Sequence, residues 1–163
     1  MEKNNKIVWI TGASSGIGAA LAKIYAEKGV KLILSSRRLA ALEQVKSECK
    51  NSKNIKILPV DLSDFDAAPA KVQNAFDFFG KIDILINNAG VSQRSYIADT
   101  RFDVFKKLIE INYLGTIALS KALLPFFLQQ EGGHYVVVSS VMGKYGSPFR
   151  SGYAAAKHAL HGF

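Results

Sequence analysis

An α/β fold built on a doubly wound parallel sheet is predicted by three features of this 163-residue sequence. Short apolar runs alternate with helix-length amphipathic segments along the whole chain. The runs are apolar throughout, the pattern of strands buried on both faces. A glycine-rich turn follows the first run and opens the first helix. Alternating β and α units give parallel strands joined by right-handed crossovers. With the glycine turn, this is the dinucleotide-binding, Rossmann-type version of the architecture.

The elements follow in order. IVWI at 7–10 is the first strand, and the helix after its glycine turn covers about Ile17 to Glu27. LILSS at 32–36 is the second strand, with a helix around Leu39 to Cys49. IKILPV at 55–60 is the third, before a helix from about Asp66 to Phe79. IDILIN at 82–87 is the fourth, before one long helical pattern from about Asp103 to Gln129. YVVVSS at 135–140 is the fifth, and Ser151 opens a sixth helix. Residues 1–163 read as a single dinucleotide-binding domain with five strands visible, the sixth and seventh missing, and the C-terminal part incomplete. Without a further neighbour YVVVSS would be an open apolar edge, which proteins in water avoid.

Turn chemistry locates a cofactor. In TGASSGIG, Gly12, Gly16 and Gly18 lie on a sharp turn that enters a helix. Glycine there lets a pyrophosphate approach the backbone amides, and the helix N-terminus adds free N–H donors and a favourable dipole. Ser14 and Ser15 can donate further hydrogen bonds, and Ile17 sits among the same amides. About 20 residues on, at the end of strand two, an acid would accept hydrogen bonds from the ribose of NAD. Here Ser35, Ser36, Arg37 and Arg38 stand instead. A guanidinium binds a 2′-phosphate bidentately, so Arg37 and Arg38 point to NADP(H).

Composition bounds the alternatives. Hydrophobic residues make up 48%, enough for a packed core. One cysteine, Cys49, cannot form an internal disulfide. The start MEKNNKIVWITG has no leader-like apolar stretch, and no window approaches ~18 uninterrupted apolar residues, so a cytosolic chain without a membrane span is expected. The net charge of +8 is scattered, with only short pairs at Arg37-Arg38 and Lys106-Lys107. That reads as a solvated basic surface rather than a nucleic-acid footprint. His134, His158 and His161 lack partners at ligand spacing, so no metal is expected.

Tyr153 and Lys157 stand four apart and share a helix face. A free tyrosine, with a pKa near 10, is a poor base, and a nearby ammonium favours the phenolate. Bringing it to about 7 takes ~4 kcal/mol of differential interaction. With TGASSGIG, NNAG at 87–90, Asn112 in EINYLGT and VVVSS ahead of Tyr153, the sequence resembles the short-chain dehydrogenase/reductase family over essentially its whole length. NNAGVSQRSYIADT, EINYLGT and YAAAKHALHGF look closest to its branch of member-7-type proteins.

The resemblance implies roles by position. Tyr153 would be the acid/base and Lys157 would lower its pKa and hydrogen-bond the nicotinamide ribose. Ser140 would hold the substrate oxygen, with Ser139 as the neighbouring alternative; side chains alternate along a strand, so only one of the two faces the site. Asn112 would hold a water linking Lys157 to solvent; its plainer reading is a helix-kink residue bonding backbone, and the two are compatible because Asn is a poor helix former. Asn88, Ala89 and Gly90 would contact the cofactor, and Asn87 would make structural hydrogen bonds. Asp61, beside Leu62, would contact adenine; its plainer reading is a turn carboxylate.

The resemblance also implies a longer enzyme, in which the residues that choose the substrate follow Phe163. A polypeptide ending at Phe163 would lack a substrate pocket. The function implied is hydride transfer between NADP(H) and a secondary alcohol or ketone. A non-catalytic NADP-binding sensor is a second possibility, which the Asn112, Ser140, Tyr153 and Lys157 set opposes. A nucleotide-sugar epimerase or dehydratase is a third, though its relatives carry a G-x-x-G-x-x-G loop. Apolar residues on more than one face of the long helix (Phe105, Leu108, Ile109, Leu114, Ile117, Leu119, Leu123, Leu124) need a second partner besides the sheet. The resemblance implies that this helix and the alanine-rich helix beside it meet their symmetry mates in a homodimer or homotetramer, the alternative being a monomer whose own C-terminal segment covers that face.

Overall fold

The computed structural model describes residues 5–163; the first four, part of the stretch without a leader-like pattern, lie outside the described residues. Five parallel strands form one sheet in the order β3-β2-β1-β4-β5. They are β1 (Ile7–Thr11), β2 (Lys31–Ser35), β3 (Ile55–Ile57), β4 (Ile84–Asn87) and β5 (His134–Val137). Helices α1 (Gly16–Glu27), α2 (Leu39–Ser47) and α3 (Ala68–Asp77) make the first crossovers. Then come α4 (Phe102–Ile109), α5 (Gly115–Gln129) and α6 (Ser151–Gly162).

The apolar runs become strands because both sheet faces are covered. Along β1 the side chains alternate between two cores. Ile7 and Trp9 pack with Leu85, Leu119, Leu123 and Phe127, on the side of α3 and α5. Val8 and Ile10 pack with Ala22, Ala26, Leu34 and Leu42, on the side of α1 and α2. Trp9 is wholly buried, and its indole N–H donates to the buried Ser35 hydroxyl at 2.8 Å. The order reverses between β1 and β4, so the crevice at that switch point, outside the C-terminal strand ends, is where this architecture takes ligands.

Several boundaries differ from expectation. The third strand ends at Ile57 rather than Val60, because Pro59 has no N–H for the ladder, although Leu58 and Val60 still donate to β2-side carbonyls. The fifth strand ends at Val137, and Ser139 and Ser140 lead into a short 3₁₀ turn at Val141–Gly143. The long helix runs from Phe102 to Gln129 but is not uniform. Residues Glu110–Leu114 form a π-helical turn around Asn112. The most apolar 18-residue window of this helix has a mean hydropathy of 1.4, enough by composition to cross a membrane. Within the fold it serves as a core helix, burying Leu108, Ile111, Leu119, Leu123 and Phe127.

That packing corrects the expected assembly surface. Leu119 and Leu123 pack in the core with β1 and β4, Leu108 lies against Gly152 of α6, and all three, at 2% exposure or less, offer nothing to a second subunit. The outward stripe is Leu114, Ile117, Leu124 and Leu128, spaced three or four apart and interrupted by Lys121.

Candidate active site

The turn after β1 is shaped by what a side chain would strike. Gly12 has φ +65°, and a Cβ there would lie 2.7 Å from the Ala89 Cα. A Cβ on Gly18 would meet the Gly12 carbonyl. The turn therefore rests directly on the loop after β4, and only glycine permits both the backbone angle and the approach. Asn88 locks the two together. Its side-chain amide donates to the carbonyls of Thr11 and Gly12 at 3.0 and 3.2 Å. Thr11 completes the clasp, its hydroxyl accepting from the backbone N–H groups of Asn88 and Ala89. The Asn88 amide is thus committed to loop geometry, and what it presents to a ligand is its backbone. Asn87 is structural as expected, donating to the Ser120 hydroxyl at 3.1 Å.

A cleft of about 400 Å³ runs across this junction. It is lined by Gly12, Ser14, Ser15 and Ile17, by Arg37 and Arg38, by Asp61 and Leu62, and by Asn88, Ala89 and Gly90. Gly16 and Gly18 belong to the α1 N-terminus beside it. Thr11, Ser36, Val60, Val91 and Ile111 also line it and were missed from sequence. Thr11, Ser36, Val60 and Val91 owe their position to strand ends and the chain just after them, and Ile111 to the π-helical turn, none of which a motif marks. The cradle without side chains, the free N–H groups of the α1 N-terminus and the adjacent guanidinium groups together fit a dinucleotide phosphate backbone.

At the far end of the cleft Arg37 and Arg38 follow β2, both exposed. Arg38 reaches back to donate to the Ser14 hydroxyl at 3.4 Å. Asp61 accepts from the Ser63 N–H at 3.0 Å and from its hydroxyl at 2.7 Å. Those bonds, then the attraction of Arg37 and Lys107, hold its carboxyl below the usual aspartate range. Asp61 is therefore both a turn carboxylate and part of the cleft wall.

At the opposite end the cleft meets the Tyr153 helix. A Cβ on Gly90 would sit 2.7 Å from the Asn112 Oδ1 and 3.7 Å from the Lys157 Nζ, so these three groups share one corner. Lys157 is 4% exposed, and its ammonium donates to the Val138 carbonyl at 2.8 Å. Burial pushes its pKa below the ordinary lysine value. The ammonium lies 5.8 Å from the Tyr153 ring centre. Asn112 is fully buried, its side chain accepting from the Val91 N–H at 2.7 Å and donating to the Val91 carbonyl at 2.9 Å. The backbone bond expected of Asn112 at the helix kink is therefore made by its side chain. The Ser140 hydroxyl accepts from the Met142 N–H at 3.2 Å, while Ser139 turns to His161, 2.9 Å from its Nε2. Ser139 is thus paired with a side chain of α6, and Ser140 with the backbone of the 3₁₀ turn it opens.

Residues 6–163 match the family model described as short chain dehydrogenase. The chain is 47% identical over 167 aligned residues to Dehydrogenase/reductase SDR family member 7 of Homo sapiens, covering 99% of this chain and 49% of that protein. It is 43% identical to Dehydrogenase/reductase SDR family member 7B of Mus musculus, covering 98% of this chain and 51% of that protein. The chain spans about half the length of the curated relatives it matches. Its fold is similar to a short-chain dehydrogenase from Streptomyces avermitilis, with a TM-score of 0.91 and 29% identity over 99% of this chain and 59% of that one. A short-chain dehydrogenase/reductase from Burkholderia phymatum in complex with NAD gives a TM-score of 0.91 at 28% identity, over 99% of this chain and 58% of that one.

Proposed function

This chain belongs to the short-chain dehydrogenase family, and on that premise we propose that it acts as an NADP(H)-dependent oxidoreductase on a secondary alcohol or its ketone. The observation that carries the reading is the corner where Gly90, Asn112, Lys157 and Tyr153 meet the end of the cleft. Bound cofactor would supply or accept the hydride there. Gly12, Ser14, Ser15, Gly16, Ile17 and Gly18 would hold its pyrophosphate. Asp61 and Leu62 would flank the adenine, with the backbone of Asn88, Ala89 and Gly90 along the floor.

The chain's own residues would then handle the proton. Tyr153 donates it to the carbonyl oxygen in reduction and removes it from the alcohol in oxidation. The Lys157 ammonium beside the ring favours the phenolate. Ser140 hydrogen-bonds the same oxygen as its charge develops. Asn112 keeps Val91, and with it the wall next to Gly90, in place. A buried ammonium whose described protein partner is a carbonyl costs stability. A cofactor sensor without turnover needs no acid/base, so the placing of that ammonium beside Tyr153 supports catalysis.

Cofactor choice is testable at Arg37. In the intact enzyme NADPH is expected to bind more tightly than NADH. Arg37→Ala should weaken NADPH by about 1.5 kcal/mol, the low end for a charged hydrogen bond because the site is open to water, and leave NADH nearly unchanged. Fluorescence titration with both cofactors measures it; equal loss for both would remove Arg37 from 2′-phosphate recognition.

The outward stripe of the long helix supports a homodimer or homotetramer, since a two-fold contact would pair this patch with its own copy. Leu124, at 44% exposure, lies on that stripe. Leu124→Glu is expected to convert the assembly to monomers in light scattering. A wild-type monomer at micromolar concentration refutes the contact.

A further inference from the structure

Two loops flank the head of α6: residues 91–101 after β4, and residues 144–150 after the 3₁₀ turn. They are bonded to each other through groups with no role in the scheme above. Arg150 immediately precedes α6, and its carbonyl accepts the first helical bond, from Ala154 N–H at 2.7 Å. Its guanidinium crosses to the other loop, donating to the Ser92 hydroxyl and to the Gln93 carbonyl, the latter at 3.1 Å. Among the described residues no carboxylate pairs with it. Its partners are neutral loop groups, the arrangement of a clamp rather than of a salt bridge.

The loop it grips is itself internally fixed. Gln93 is 6% exposed, and its amide donates to the Ser95 carbonyl and hydroxyl and to the Thr100 hydroxyl. Ser95 N–H donates to the Phe149 carbonyl at 3.1 Å. The rings of Tyr96 and Phe149 meet edge-on at 4.7 Å. Phe149 has φ +64°, a left-handed conformation that disfavours a side chain with a Cβ and persists only where surrounding contacts impose it. That conformation turns the chain directly into Arg150.

Residues 91–93 are therefore held by two side chains: Asn112 binds both backbone groups of Val91, and Arg150 binds Ser92 and Gln93. Arg150 also stands one helical turn ahead of Tyr153. We infer that Arg150 is a positioning residue that ties the first turn of α6, and so the Tyr153 hydroxyl, to the loop that Asn112 anchors beside Gly90. The inference rests on Tyr153 being the acid/base proposed above. A displacement of the acid/base by about 1 Å is enough to cost ~100-fold in rate, so a clamp at this point acts on turnover rather than on cofactor affinity.

The test compares Arg150→Met and Arg150→Lys in the intact enzyme. Arg150→Met is expected to lower kcat at least ~10-fold with NADPH affinity within about twofold. Arg150→Lys should recover part of the loss, because the ammonium keeps a charged donor nitrogen for the two acceptors but lacks the fixed planar geometry of the guanidinium. Hydrogen exchange without ligand should rise in peptides covering 91–101 and 149–154 of Arg150→Met. Unchanged kcat, a parallel loss of cofactor affinity, or a lysine variant no better than methionine overturns the inference. Should Arg150→Met fail to fold, Ser92→Ala removes one acceptor alone and is expected to lower kcat about threefold with faster exchange in the same peptides; no change in either overturns it. A wild-type enzyme that turns over no carbonyl substrate defeats the proposed function instead, and the exchange data still decide whether Arg150 couples the two loops.

Discussion

Tyr153→Phe is expected to remove most turnover from the intact enzyme, by ~10²–10⁴-fold, the range for a lost general acid/base. The ring stays, so its contact with Lys157 and its half-buried place in α6 are kept. Only the hydroxyl that would act on the reacting oxygen is lost. NADPH affinity should therefore stay within about twofold, and the loss should fall on kcat and kcat/KM together. Steady-state kinetics with a cofactor titration on the same preparation checks both halves. A Tyr153→Phe enzyme with near-normal kcat would take tyrosine out of the mechanism.

Lys157→Met should show a different signature. Turnover is expected to fall at least as far, and cofactor binding should weaken as well, because the ammonium stands at the corner shared with Gly90. Thermal stability should hold or rise. The substitution removes a desolvated charge and leaves the Val138 carbonyl without that donor, two opposing effects of similar size. The pH dependence separates them. Burial lowers the Lys157 pKa, so the folded chain holds this proton less tightly than the unfolded chain does. The destabilising contribution is fully present below the folded pKa. It fades as pH climbs from there toward the ordinary value of 10.5. Wild-type stability should gain on that of Lys157→Met over this alkaline window. Calorimetry of both proteins from neutral to alkaline pH measures it. A large loss of stability at neutral pH in Lys157→Met would show that the ammonium is a structural clamp rather than a strained functional group.

The sites of both substitutions were legible in the chain before any fold was known. Four-residue spacing puts two side chains on one helix face whatever surrounds the helix. The same holds for Gly12 and Gly18, whose lack of a side chain matters wherever backbone approaches backbone. The alternation of apolar runs with amphipathic segments likewise carried the parallel sheet, because burial of both strand faces leaves its mark on every residue of a run.

Other features depend on which partner a side chain meets. Periodicity marks Leu119 and Leu124 alike as apolar positions of one helix. Only packing against β1 and β4 decides that Leu119 is buried and Leu124 faces outward. Asn88 reads as a cofactor residue in a motif, yet its amide closes on Thr11 and Gly12 across 77 and 76 positions of chain. The π-helical turn at Asn112 arises where a side chain bonds the backbone of Val91, and no local propensity encodes that.

What the sequence by itself determined is therefore the set of elements, the glycine turn and the Tyr153–Lys157 face, all set by interactions within a few residues or by uniform burial. The tertiary structure alone decided the corner joining Gly90 to Lys157, the pairing of Ser139 with His161, and the bonds from Arg150 to the loop after β4. Each is a directional hydrogen bond or close approach between segments distant in the chain, and direction at long range exists only once the backbone has placed both partners.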